Sequence, residues 1–541
     1  MKVLTVTTLA LWGIVTIKNI LFWTYLWQIK EYRLDRMKVH FELASSKKLI
    51  LNKRTIWLVA LLVLLLIPHD LTNTLTVVGL LLFYGFFATR GIQQWQNKTL
   101  KTPKRTLHAT IIVFFSLFLY ATVSTSFFLF AEEFLLLWVI AGDILAPLFI
   151  FLSVSLFQPA FSYMKNRFIK KAVEKRKKLK DLLVIGITGS YGKSSMKDIL
   201  FGILSEEFNV LKTPENINVD IGIARVILKN LNQNHDIFIA EMGAYRKGEI
   251  AKSAEMVKPQ IGVLTGLNQQ HLSLFGSMDN IKEAKYELIE SLGGKGLAVF
   301  NGDNEIVREL SRKHKGPKRI YAVDPLVDQI DQKIMVEHIK NTSAGLEIKI
   351  HEKDGAEEVL KTPLLGRHNA INILGAVTVA RELGMGYKSI KAALVKLQPP
   401  SHTLKIKKGI KDSVIIDDTY SANLNGVLAA LDVLATIKGR QKLFILQPLI
   451  ELGAEAEKVH QKIAARAAEV CNWCIITSRD NFSVFYKEAL DNGMSKDAIF
   501  CIPNSREALR KAQELTDKDD VILLENRIHP SIIEGLMLHK E

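Results

Sequence analysis

Apolar residues divide the chain into two textures. Before about residue 160, long uncharged runs dominate; beyond about 180, short β-branched runs alternate with amphipathic stretches. In the first part, apolar runs lie at roughly residues 3–28, 55–69, 75–90, 108–131 and 134–158. The first, fourth and fifth reach the ~20 residues a helix needs to cross the apolar core of a bilayer. The second and third are shorter and read as a tight hairpin. No small-residue cleavage site follows the first run, so it is expected to stay as an anchor.

Loop charge gives these runs a direction. The segments Lys30 to Arg54 and Arg90 to Arg105 are rich in Lys and Arg, whereas the connectors His69–Thr74 and Ala131–Glu133 have neither. The positive-inside bias then predicts five spans, an outside N-terminus, and cytoplasmic catalytic domains after Phe157, at the plasma (inner) membrane. The basic stretch Lys165–Lys180 is expected on anionic lipid, at about 1 kcal/mol per basic residue; a solvated charged helix is the alternative. Lys18 interrupts the first run and is expected to snorkel. Asp143, near Pro147 in the fifth, is the candidate for a lipid or ion pathway.

With 541 residues the chain exceeds one ordinary domain. The expected division is a transmembrane region at 1–160, a basic linker at 161–181, a central domain at 182–398 and a C-terminal domain at 399–541. The formal charge of +16 clusters beside the apolar runs, so membrane lipid rather than nucleic acid is the expected partner. Cys471, Cys474 and Cys501 make no disulfide framework. The Cys471/Cys474 pair lacks the second pair a zinc tetrahedron needs and is assigned to core packing.

Strands alternating with helices after residue 182 predict α/β domains with parallel sheets. Leu182–Ile187 is an expected buried strand. It runs into Thr188-Gly189-Ser190-Tyr191-Gly192-Lys193-Ser194-Ser195, with a helix from about Met196. Strand, glycine loop, Lys-Ser and helix form a phosphate cradle. Backbone N–H groups face the phosphates, Lys193 reaches the terminal ones, and Ser194 suits Mg²⁺. Ile187 stands where the strict pattern has its first glycine. Further strands are expected at Val414–Ile416, Leu443–Leu446, Cys474–Thr477, Ala498–Ile502 and Val521–Leu524. No G-x-G-x-x-G occurs, so no dinucleotide is expected.

The loop T-G-x-x-G-K-[ST] resembles the Mur ligase family, and later segments resemble it in the same order. Thr213-Pro214-Glu215-Asn216-Ile217-Asn218, then Ile221-Gly222, is similar to an asparagine-rich central segment. Glu241-Met242-Gly243-Ala244, His271 in Asn268-Gln269-Gln270-His271-Leu272, and Lys285 in Glu283-Ala284-Lys285 follow. The resemblance makes Ser194, Glu241, His271 and Lys285 the metal-site residues, with a possible carbamate on Lys285. Lys193, Glu241, His271 and Lys285 are then the catalytic set. Leu365-Gly366-Arg367-His368-Asn369 with Asn372, and Asp417-Asp418-Thr419-Tyr420-Ser421-Ala422-Asn423, resemble nucleotide-contacting segments. Asn369, Asn372, Asp418, Tyr420 and Asn423 therefore join Thr188, Gly189, Ser190, Gly192, Lys193, Ser194 and Ser195 as nucleotide-binding candidates. Glu451-Leu452-Gly453 and His460 complete the match.

The resemblance spans about residues 182–541 and is nearest the branch that adds D-alanyl-D-alanine to a muramoyl tripeptide. It implies a P-loop central domain, a Rossmann-like C-terminal domain, ATP, two Mg²⁺ ions, a carboxylate acceptor and an amine. The expected product is an amide bond in a cell-wall (peptidoglycan) precursor, formed through an acyl phosphate. The chemistry asks for these residue types: a carboxylate attacking the γ-phosphorus of ATP brings anions together, and Lys193 with hard cations on oxygen ligands offsets that charge.

Four departures concern substrate choice. The sugar-binding N-terminal domain of these ligases is replaced by the apolar region. Ser421 and Leu424 replace an Asn and a Pro. Gln447-Pro448 stands for a Gly-Asp pair, and Glu525-Asn526-Arg527 for Lys-Gly-Ser-Arg. A ligase for another polymer, such as polyglutamate, and a non-ligase membrane ATPase or scaffold are the alternatives.

Overall fold

The computed structural model describes residues 2–538 except 43, 51, 66–69, 216, 325–330, 343–344, 354, 365, 399–403 and 420–421. The chain forms two compact units, Met1–Arg167 and Phe168–Glu541.

In the first unit four helices are long and apolar enough to cross a membrane: Val3–Ile29, Thr74–Gln96, Leu107–Phe130 and Ala146–Lys177. The run at 75–90, short as an apolar stretch, lies inside a 27-residue helix, Asp70–Gln96, because polar residues at both ends continue the turn. The run at 55–69 supplies a helix of only 13 residues, Lys53–Leu65. The fifth run is divided at Leu145, between helices Leu135–Ile144 and Ala146–Lys177. Pro147 lies two residues past the break and has no N–H for the Asp143 carbonyl.

Ile20, Leu80, Tyr84, Ile112, Ile140 and Ile150 form the fully buried centre of this unit. Asp143 is buried beside them and is closed off by partners. The Arg54 guanidinium pairs with both its oxygens. Asn19 Nδ2 donates to Oδ1 at 2.5 Å, and Tyr84 donates to Oδ2 at 3.4 Å. A buried carboxylate is tolerable when paired and hydrogen-bonded in this way.

The second unit holds three sheets. Strands β1 (Leu183–Thr188), β2 (Val210–Lys212), β3 (Ile237–Glu241), β4 (Ile261–Leu264), β5 (Leu297–Asn301) and β6 (Lys318–Tyr321) form a parallel sheet in the order β2-β3-β1-β4-β5-β6. Both faces are covered, and β1, β3 and β4 are almost wholly buried, as expected for a parallel sheet between helices. A small antiparallel sheet, β7 (Ile334–Thr342), β8 (Gly345–Glu352) and β9 (Glu357–Thr362), was not expected from the sequence. It adds Ile348, Ile350 and Leu360 to the same core.

Strands β10 (Lys405–Lys408), β11 (Val414–Asp418), β12 (Lys442–Leu446), β13 (Trp473–Ile476), β14 (Ile499–Cys501) and β15 (Val521–Glu525) form the last sheet, ordered β10-β11-β15-β12-β13-β14. Only the edge strand β10 is antiparallel. Its five parallel strands coincide with those expected to within two residues; β10, with the pattern Lys-Ile-Lys-Lys, is the one missed. Cys471 and Cys474 are buried in this domain's core.

The stretch expected as a basic linker is helical through Lys177. From residue 168 onward it packs into the second unit. Ala172 is fully buried, with Phe168, Ile169 and Val173 around it against the core. Arg176 donates to the carbonyls of Val257 (2.9 Å), Leu179 (2.7 Å) and Leu182 (3.2 Å). Val257 ends the helix Glu249–Val257, whose last carbonyls favour a cation.

Candidate functional site

The loop after β1 is held by the two glycines that frame it. Gly189 has φ +154°, and a Cβ there would sit 2.1 Å from Thr265 Oγ1. Gly192 has φ +78°, and its Cβ would approach Asn372 Oδ1 to 3.1 Å. Only glycine fits such close approaches with that backbone. Thr188 donates its hydroxyl to the Met242 carbonyl at 2.8 Å. The Ser190 amide donates to the Gly266 carbonyl at 2.6 Å, and its hydroxyl to the Asn268 carbonyl at 3.4 Å.

The helix begins at Lys193, three residues earlier than expected, so Lys193, Ser194 and Ser195 make its first turn. Its free N–H groups and dipole therefore face the loop. Lys193 Nζ donates to the Gly189 and Ser190 carbonyls, at 2.7 and 2.9 Å, and so curls over the cradle. Burial lowers its pKa from the ordinary value.

Glu241 ends β3 opposite Ile187 of β1, which puts its carboxylate beside the loop. Oε2 accepts from Ser194 Oγ at 2.9 Å and Lys197 Nζ at 2.9 Å, and Oε1 from Asn218 Nδ2 at 3.1 Å. Lys197 is fully buried. Sequence reasoning missed it; the signal was its spacing, one helical turn beyond Lys193.

Lys285, on the helix Met278–Glu290, is 4% exposed. Its Nζ reaches the Ala244 carbonyl at 3.4 Å and lies 5.7 Å from the Phe275 ring centre. Burial, reinforced by the charge of Lys193, pulls its pKa down to about 7. His271 has φ +63°, and its Nδ1 lies 2.6 Å from Glu451 Oε2. Burial pushes its pKa down against the pull of Glu451. Lys193 is coupled electrostatically to Glu241, and both it and Lys285 to His271, so the four expected catalytic residues share one neighbourhood.

The remaining candidates lie on two segments. Asn369 and Asn372 are buried in the first turns of the helix Arg367–Glu382, with Asn372 against Gly192. Asp418 ends β11, and Asn423 caps the helix Leu424–Thr436. Tyr420 lies outside the described residues. Asn268 Nδ2 bonds Asn423 Oδ1 at 3.0 Å and Asn425 Oδ1 at 2.9 Å, so the central and C-terminal domains meet directly at the site. His460 accepts from the Leu449 amide at 3.2 Å and thereby fixes the loop that carries Glu451.

The donor set fits one hard cation. Ser194 Oγ and Glu241 Oε2 are adjacent oxygens below the phosphate cradle, the ligand type Mg²⁺ takes alongside phosphate oxygens. Among the described residues no three His, Cys, Asp or Glu side chains gather into a metal-binding group. Lys285 offers an amine, and His271 Nδ1 is engaged by Glu451.

Comparison with known proteins agrees with this geometry. Residues 187–380 match the model of the Mur ligase middle domain, and residues 404–525 that of the Mur ligase, glutamate ligase domain. The chain belongs to the Mur ligase family. It is 33% identical over 284 residues to a UDP-N-acetylmuramoyl-tripeptide–D-alanyl-D-alanine ligase from Synechocystis, covering 52% of this Mur ligase and 59% of that relative. The chain thus spans about six tenths of that relative's length. The same fold occurs in crystal structures of MurF from Acinetobacter baumannii and of MurF ligase from Thermotoga maritima in complex with ADP. The first has a TM-score of 0.60 at 24% identity, covering 68% of this chain and 80% of that one. The second has a TM-score of 0.59 at 22% identity, covering 69% and 83%.

Proposed function

We propose that this Mur ligase is an ATP-dependent, ADP-forming enzyme that joins an amine to a carboxylate of a muramoyl-peptide precursor at the inner face of the membrane. The observation that carries this is the convergence of Lys193, Ser194 and Glu241 at a glycine loop opening a helix. The substrate's carboxylate attacks the γ-phosphorus, the bond to the β-phosphate oxygen breaks, and ADP leaves. The neutral amine nitrogen then attacks the acyl carbon, phosphate departs with the C–O electron pair, and the proton lost from nitrogen passes to the departing phosphate. Lys193, drawn off the loop carbonyls, offsets charge growing on the transferred phosphoryl group. Ser194 and Glu241 would hold Mg²⁺, which supplies further charge neutralisation when bound.

Lys285 supports a second, conditional metal position. With its pKa near 7, a sizeable neutral fraction exists at physiological pH, and the neutral amine is the form that takes up CO₂ as a carbamate. Asn369, Asn372, Asp418 and Asn423, on segments converging at the cradle, are assigned to the nucleotide. Dipeptide transfer is favoured by the named relative, a UDP-N-acetylmuramoyl-tripeptide–D-alanyl-D-alanine ligase. Membrane attachment is supported by the four long apolar helices. The proposed domain limits remain 1–160 for the membrane region, 182–398 and 399–541 for the catalytic domains, with 161–181 between them. The test is ADP formation by the purified chain: Lys193→Ala should abolish it while the protein stays folded, Glu241→Ala should abolish it at a temperature below that variant's lowered unfolding midpoint, and turnover in either would refute the assignment.

A further inference from the structure

Glu525 ends the central strand β15 and is the register partner of Asp418, the last residue of β11. Partners on parallel neighbours point to the same face. Two residues earlier, Ile416 and Leu523 both enter the core under the helices Leu424–Thr436 and Ala456–Val470, so the carboxylates end that same row. Glu525 is fully buried and Asp418 is 7% exposed. Among the described residues no side-chain donor meets either Glu525 oxygen. No cation among them enters the electrostatics of either carboxylate; Asp418 has the Leu404 amide with Asp417 against it, and Glu525 has the backbone of Asn526 with Asp418 against it. Asp417, on the opposite face, shows the ordinary solution: Lys407 meets it at 2.6 Å.

A dry carboxylate pair without a counter-charge is expensive to bury and is stabilised by a cation delivered from outside. Burial and the neighbouring charge push Glu525 well above the usual carboxylate range and Asp418 to about 7. The pair stands at the carboxyl ends of adjacent parallel strands, where open α/β sheets bind ligands. The segments that follow β11 and β12 carry Asn423, Asn425 and Glu451, which touch the central domain at Asn268 and His271. A group held at Glu525 is therefore on the side of the sheet that meets the central domain.

We propose that Glu525 receives the cationic nitrogen of the amine substrate at the end of β15 and takes up its proton, leaving the neutral amine that attacks the acyl carbon. This rests on the ligase reading and names what that reading leaves open: a specificity residue for the amine.

The test uses the full-length chain in detergent with ATP, Mg²⁺ and UDP-muramoyl tripeptide, and measures KM separately for D-alanyl-D-alanine and for ATP. Glu525→Gln should raise the amine KM at least tenfold while the ATP KM and the thermal midpoint stay within twofold and a few degrees of wild type. N-acetyl-D-alanyl-D-alanine, which has no ammonium, should compete for the amine site in neither protein. An unchanged amine KM in a folded, active Glu525→Gln protein overturns the inference and leaves the ligase reading standing. If that variant does not fold, Glu525→Asp decides the matter by the same split: a selective rise in amine KM supports the assignment, and none removes it. Wild-type protein that forms no amide with D-alanyl-D-alanine, D-alanine or L-glutamate defeats the ligase reading itself, and this inference falls with it.

Discussion

His271 of the central domain and Glu451 of the C-terminal domain meet at 2.6 Å, and both sit in left-handed backbone, at φ +63° and +65°. Left-handed conformations of non-glycine residues cost about 1–2 kcal/mol, so strain lies at both ends of one interdomain contact. The Glu451 carbonyl also accepts from the Ser273 amide at 3.2 Å. Glu451→Ala removes a charge-assisted bond worth about 1.5–3 kcal/mol. Hydrogen exchange at residues 268–275 and 449–456 should quicken roughly tenfold, with little change in β1 and β4. Unchanged exchange at both segments would show that the contact does not hold the domains together.

Lys197 and Glu241 form a fully buried pair, at 2.9 Å. Removing one member of such a pair costs about 3–5 kcal/mol, because the other charge is stranded. Lys197→Met should lower the unfolding midpoint markedly, and the added change Glu241→Gln should recover much of the loss. A single variant as stable as wild type would mean that Glu241 is balanced by another group.

Lys285 gives a pH signature. The unfolded chain holds this proton up to about pH 10.4, whereas the folded chain releases it near 7. Between those values the unfolded state binds more protons, so this group's contribution to stability rises with pH, by up to about 1.4 kcal/mol per unit. Urea midpoints of wild type should therefore climb relative to Lys285→Met from pH 7 to pH 9. Parallel curves would place the lysine in a wetter setting. If the amine also takes up a carbamate, bicarbonate should stimulate wild-type ADP formation and leave the variant unaffected.

The end of the last apolar helix tests the unit boundary. A fragment starting near residue 165 keeps Phe168, Ala172 and Arg176 on their core, whereas one starting at 181 loses them. Both fragments should bind ATP if they fold, but the shorter one should melt several degrees lower. Equal midpoints would mean that residues 168–177 add nothing to the second unit.

Much of this was legible in the sequence. The parallel strands announced themselves as short β-branched runs, because strands buried on both faces cannot alternate. The glycine loop was visible because Gly189 and Gly192 are demanded by close backbone approaches. Lys197 was not, since a lysine one turn along a helix normally faces water, and only burial of Glu241 beside it makes the pairing necessary. The β7–β9 sheet escaped notice because its alternating, charged strands resemble a solvated surface; one face of it completes the central core. The role of residues 168–177 was hidden for a related reason. A run of Lys and Arg masks the Phe168, Ile169, Ala172 and Val173 stripe that packs inward.

The most direct measurement is phosphate release by detergent-purified full-length protein given ATP, Mg²⁺ and UDP-muramoyl tripeptide, with and without D-alanyl-D-alanine. The account predicts release that needs both substrates, a matching mass gain on the peptide, and loss of both in Lys193→Ala. Steady ATP hydrolysis indifferent to any amine, with no new amide bond, would contradict it.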